Sequence, residues 1–354
     1  MGKYSHIIDV VLGQPLLMRP EKVESILELL QLRAFQDVRF SAEEIEARIG
    51  AAPVRKAARK SGTVAVLPLY GVIAQRMNIM QQMSGGTSTQ QFTQAFRSAL
   101  NDDEVKAILL DVDSPGGSVY GVAELAQEIF EARGRKPIAA IANSEMASAA
   151  YWIASAAESV YITPGGMAGS IGVVTIHEDW SENLASEGVK VTIITAGKHK
   201  AEGNPYEPLQ DDARDYIQGM ADEYYGMFTG AVARNRGVPA STARGAGFGQ
   251  GRMLMAKQAK ATGMVDGIMT FDQLVARLGG NAEAKASTTP ADPSMVPHGE
   301  DREWVFAEMP PVEYADPHDT TTDHTHSGAT HTAPAPTDRS KAERLMEIAL
   351  AGGR

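Results

Sequence analysis

Three short stretches hold residues whose types could do covalent chemistry together. In Asn143-Ser144-Glu145-Met146-Ala147-Ser148-Ala149-Ala150-Tyr151-Trp152, a serine stands where an apolar run gives way to an alanine-rich segment free of Gly and Pro. A serine hydroxyl attacks a carbonyl only when a base takes its proton, and the oxyanion that forms needs N–H donors beside it. Candidate donors lie in Asp113-Ser114-Pro115-Gly116-Gly117-Ser118, where two glycines permit close backbone approaches that a Cβ forbids. Candidate bases are Lys198, His199 and Lys200, which follow Gly197, and His177 further upstream. The plainer readings are that Ser148 is a helix N-cap and that Pro115-Gly116-Gly117 is an ordinary turn.

The elements around these stretches decide whether they can meet. The apolar run 137–142 reads as a buried strand and 147–157 as the helix after it, so Ser148 falls on a strand-to-helix turn. Unpaired N–H groups and the positive end of the helix dipole gather at such a turn. Residues 105–112 read as a strand that ends at the glycine turn, and 119–133 as the next helix. The β-rich run Val189 to Ile194 delivers the lysines from a strand end. Strands are also expected at 64–69, 160–162 and 171–176, and helices at 87–100, near 178–187 and over 211–236. This alternation predicts an α/β domain whose parallel strands present their carboxyl ends to one site.

In this order, Asp113-Ser114-Pro115-Gly116-Gly117, Met146-Ala147-Ser148-Ala149-Ala150-Tyr151-Trp152, Gly169-Ser170-Ile171-Gly172-Val173, Gly197-Lys198-His199-Lys200 and Gly263-Met264-Val265-Asp266 resemble the signal peptide peptidase A-like family of serine peptidases. That family lies in the Clp protease/crotonase fold group, and the resemblance covers about residues 62–275. It implies a Clp protease/crotonase-like superhelix of repeated ββα units. It further implies Ser148 as nucleophile, Lys200 as base, Ser170 orienting Lys200, and the backbone N–H groups of Gly116, Gly117 and Ala149 as the oxyanion hole, with no cofactor and no metal. Lysine has an ordinary pKa near 10.4, so a lysine base must be desolvated to act near neutrality. His177 is the alternative base, since Clp relatives use a Ser-His-Asp arrangement. The family usually has Ser-Gly-Gly-Tyr; here Ala149 and Ala150 stand in place of the glycines, narrowing the pocket while leaving every N–H.

The 354-residue chain has no cysteine and a formal net charge of −11. Between Asn281 and Asp338 there are eleven acidic residues against Lys285 and Arg302, so the negative charge is concentrated there. No basic face invites nucleic acid, and no run of 18 apolar residues forms a membrane span. Domain organisation is expected as a helical N-terminal extension and linker (1–60), a peptidase domain (61–278), a disordered acidic linker (279–340) and a short C-terminal helix (341–354). The Met-rich loop with Met77, Met80 and Met83 could touch substrate or a neighbouring subunit, or simply fill the core. With no signal segment expected, the extension and acidic tail resemble the tailed-phage head maturation (prohead) protease branch. That resemblance implies a self-associating enzyme acting on scaffold and capsid proteins and on itself, in host cytoplasm inside the procapsid. A bacterial cytoplasmic peptidase of the same family and an inactive scaffold-type protein are the alternatives.

Overall fold

The structure, a computed structural model, describes residues 15–19, 21–24, 59–76 and 86–286. They belong to one of two units, Met1–Ser287. The other unit, Thr288–Arg354, lies outside the described residues, as do Met77, Met80 and Met83 and most of the helical extension expected over 1–60. In chain order the elements are β1 (Leu16–Met18), β2 (Arg59–Ser61), β3 (Val64–Tyr70), β4 (Ile73–Ala74), β5 (Thr87–Ser88), α1 (Thr89–Asn101), β6 (Ala107–Ser114), β7 (Gly116–Ser118), α2 (Val122–Glu131) and β8 (Ile138–Ala147). There follow α3 (Ala149–Ser155), β9 (Ser159–Ile162), β10 (Met167–Gly169), α4 (Ser181–Ser186), α5 (Asp211–Arg236), α6 (Ala240–Ala243), β11 (Met253–Met255), α7 (Ala256–Ala261), β12 (Gly267–Ile268) and α8 (Phe271–Ala286).

The near-continuous apolar runs of β3, β6 and the first half of β8 are what a sheet covered on both faces requires. The three strands run parallel, with Val64 opposite Ala107 and Ile108 opposite Ile138. One face, with Leu67, Leu69, Leu110, Val112 and Ala140, packs under α1, α2 and α3 in the main core. The other, with Val64, Val66, Leu109 and Ile141, packs against Leu274 and Leu278 of α8. β2 and β11 close the edges of this eight-stranded sheet antiparallel to β3 and β10. A second sheet, in the order β1-β7-β4-β5, carries the glycine turn.

β8 changes neighbours along its length. Its residues 139–142 pair with β9, and Glu145, Met146 and Ala147 pair with β10. The helix that follows, α3, is buried throughout. Trp152 stacks on Phe228 of α5 with ring centroids 4.9 Å apart. At its far end the Arg133 guanidinium donates to the carbonyls of Ser155, Ala156, Ala157 and Asn235. Those are the carbonyls a helix C-terminus leaves without intrahelical partners. Near its start Tyr151 Oη donates to Met264 O at 2.9 Å, and burial pushes the phenol well above its ordinary pKa. Asp266, two residues further, pairs with Arg236 and accepts from Val160 N. The Gly263-Met264-Val265-Asp266 segment is thus a clasp on α3 and β9.

Two expected strands are absent. Within 171–176 only Val174 makes a bridge, to Leu16, and 189–194 forms no strand. Val189, Val191 and Ile193 are exposed, and Ile194 is 92 % exposed. A strand without a neighbouring strand leaves its backbone groups to water and gains nothing from extension, whatever its propensity. The long helix over 211–236 forms as expected. Among the described residues, no helix is long and apolar enough to cross a membrane.

Removing the clasp contact gives a direct check. Tyr151→Phe leaves the Met264 carbonyl buried without its donor, and should lower stability by about 1–2 kcal/mol. The expected readout is a lower urea midpoint at unchanged slope.

Candidate active site

Ser148 joins β8 to α3 with φ +53° and ψ −115°, a region L-residues rarely adopt. The conformation holds because both neighbours are fixed. Its N–H donates to Gly169 O at 2.8 Å, and its carbonyl accepts from Trp152 N at 2.9 Å. The side chain is fully buried, and Oγ has no hydrogen-bond partner. A buried, unpartnered hydroxyl is costly and calls for a reason, and reactivity is one such reason.

The next parallel strand supplies a second serine. Because Gly169 stands opposite Ala147, Ser170 falls at the register position beside Ser148. It too has φ +53°, is nearly buried, and donates its N–H to Arg252 O at 3.0 Å.

The glycine turn closes over the same spot. A Cβ on Gly116 (φ +100°) would fall 2.1 Å from Leu17 O and 3.0 Å from Ser148 Cβ. One on Gly117 would fall 1.8 Å from Ile73 O. Neither position admits a side chain, which is how the turn comes so near the serine. Ser114, which the sequence reading passed over, fixes the turn: its Oγ donates to Gly71 O at 2.6 Å and accepts from Gly116 N at 3.2 Å. Its position two residues before a glycine pair was the available signal, since serine hydroxyls commonly bond the backbone two residues on. Behind it the carboxylate of Asp111, also passed over, accepts from Tyr70 Oη and from Asn143 Nδ2. Ala149 is the first residue of α3, where an N–H finds no acceptor four residues back.

The candidate bases make no bond to the Ser148 hydroxyl. Lys200 is exposed in a turn, its N–H donating to Gly197 O. His177 is half-buried and donates from Nε2 to Asn204 O at 3.1 Å. With His199, which pairs with Glu202, it lines a cavity of about 630 Å³ shared with Thr175, Tyr216 and Met220. Ser148 is not among the residues lining that cavity. Within one chain, Ser148, Ser170, Gly116, Gly117 and Ala149 are therefore together, whereas neither Lys200 nor His177 bonds the serine hydroxyl.

Residues 131–285 match the family model Peptidase family S49. The chain is 32% identical over 258 residues to head-tail preconnector protein GP5 of Enterobacteria phage P21, covering 68% of this chain and 51% of that protein. It is 38% identical over 175 residues to capsid assembly protease C of Escherichia phage lambda, covering 49% of this chain and 40% of that one. The chain thus spans about half the length, or less, of these relatives. Among solved structures, a ClpP1 point mutant from Listeria monocytogenes aligns at a TM-score of 0.36 and 17% identity, over 59% of this chain and 94% of that one.

The glycine turn yields a second prediction. Gly117→Ala forces a methyl against the backbone of Ile73 rather than against a side chain that could move. Overpacking of this kind should cost about 3 kcal/mol in thermal or urea unfolding, with loss of any Ser148-dependent activity.

Proposed function

Taking residues 131–285 as a peptidase family S49 region, we propose that the protein is a serine endopeptidase with a Ser148–Lys200 dyad. The observation that carries this reading is the buried, unpartnered Ser148 hydroxyl, held at positive φ against the Gly116 turn. In the proposed reaction Lys200, as the free amine, takes the Oγ proton while Oγ bonds to the scissile carbonyl carbon. The oxyanion is held by backbone N–H groups of Gly117 and Ala149 and by that of Gly116, which exchanges its long bond to Ser114 Oγ for the oxyanion. The C–N bond then breaks, the lysine proton passes to the leaving amine, and water hydrolyses the acyl-enzyme through the same steps. In this reading Ser170 orients Lys200 once the lysine arrives.

Lys200 is exposed and makes no bond to Ser148, and in this reading contact with a second surface brings it in. The exposed row Val189, Val191, Ile193 and Ile194 leads directly to Lys200, and a second copy of this chain is its proposed cover. On this reading self-association completes the dyad, with Lys200 of one copy serving Ser148 of another. The names of the two phage relatives support a role in head or capsid assembly; the fuller proposal has scaffold and capsid proteins and the chain itself as substrates, inside the procapsid in host cytoplasm.

Ser148→Ala and Lys200→Ala should each lower kcat on casein by at least about 1,000-fold, and the double variant should be no worse. Mixing the two single variants should restore part of the activity if the dyad is shared between copies. A mixture as dead as its components would place Lys200 in the same chain as its serine. A lysine base works only when unprotonated, so the rate should climb into the alkaline range. A rate already flat from about pH 6 upward, together with loss on His177→Ala, would transfer the role to His177.

A further inference from the structure

β1 stands outside the α/β alternation and lies against the glycine turn that adjoins Ser148. Leu16, Leu17 and Met18 are buried, Leu17 completely. They run antiparallel to β7, with Leu16 opposite Ser118, Leu17 opposite Gly117 and Met18 opposite Gly116. On the other side Leu16 exchanges both backbone bonds with Val174, at 2.9 and 3.0 Å. Arg19 N donates to Pro115 O at 3.3 Å, and its guanidinium donates to Glu145 Oε1 at 2.8 Å. Glu145 belongs to β8 and stands three residues before Ser148. The Leu17 carbonyl oxygen and Ser148 Cβ approach the same face of Gly116.

An extended segment paired on both edges, with a carbonyl beside the nucleophile, has the geometry of a peptide bound by strand addition. Ser148 is fully buried with this segment in place. We propose that Pro15–Arg19 occupy the groove that takes the substrate strand, so that the chain carries its own occupant over Ser148. It follows that the preferred substrates are extended peptides with an apolar residue, leucine best, at the place of Leu17. A basic residue two positions further on pairs with Glu145. This deepens the peptidase reading above and rests on it for the word substrate; the groove itself rests on the contacts of β1.

The test reads binding without cleavage, in full-length chains carrying Ser148→Ala. The probe is a fluorescein-labelled peptide of residues 12–20, followed by anisotropy. A tethered occupant competes at an effective concentration near the millimolar range, so the unsubstituted strap should hold the probe off. Leu17→Asp, which puts a charge into the buried position, should let the probe bind about tenfold tighter or better. Arg19→Glu, a milder change at a partly exposed residue, should act in the same direction. A probe carrying aspartate at the leucine should bind no variant. If neither variant binds the probe better than the unsubstituted chain, or if the aspartate probe binds as well, the assignment is overturned. Casein hydrolysis in Ser148-bearing chains separates the two readings. Absent hydrolysis with intact probe exchange removes the peptidase reading and leaves the groove. Ser148-dependent hydrolysis without probe exchange removes the groove alone.

Discussion

The backbone of Ser148 is the constraint on which the rest depends. A serine at φ +53° and ψ −115° costs about 1–3 kcal/mol of strain and persists only where its surroundings overdetermine it. Here they do so from both sides. β8 is fixed by β6 over 138–142 and again at Met146, by β9 early and by β10 late. α3 is buried along its whole length and secured by Tyr151 at one end and by Arg133 at the other. Relaxing Ser148 would mean moving a helix with no free face. The turn conformation is therefore set by packing tens of residues away in sequence, and the hydroxyl is presented rather than folded back as a cap.

Much of this frame was legible in the chain. The apolar runs of β3, β6 and β8 gave their strands, because parallel strands covered on both faces leave little to ambiguity. The glycine pair announced a close approach, and the structure shows what would be struck on each side. Ser148, Ser170 and the glycines come together because the ends of adjacent strands must, once the sheet is parallel. Legibility failed where a segment's state depends on a neighbour the pattern cannot name. Residues 189–194 have strand composition but no partner strand, so they form no strand and stay exposed. Leu16–Met18, in a stretch expected to be helical, forms a strand because β7 and Val174 offer it two edges. Local propensity carries no record of either circumstance.

The clasp at 263–266 shows how a motif can matter without touching the chemistry. Met264 contributes its carbonyl to Tyr151, and Asp266 joins Arg236 to the start of β9. Burial is the largest influence and would lower the Arg236 pKa, but the hydrogen bonds it donates to Asp266 and the negative charges it faces together outweigh burial, and the guanidinium is held above its ordinary value. Four elements distant in sequence thus share one small polar cluster behind α3. Its location explains why residues more than a hundred positions after the serine are part of the same recognisable pattern.

The attachment of β1 to its own chain has a kinetic meaning. An occupant on the same polypeptide returns to its groove at a rate that dilution does not alter, whereas a foreign peptide arrives in proportion to its abundance. The balance between them is therefore a reading of local crowding. Where suitable peptides are sparse, the chain shields its serine and spares its surroundings. Where they are packed densely, they outnumber the single tethered competitor, and the same molecule, with no modification and no effector, becomes open to them.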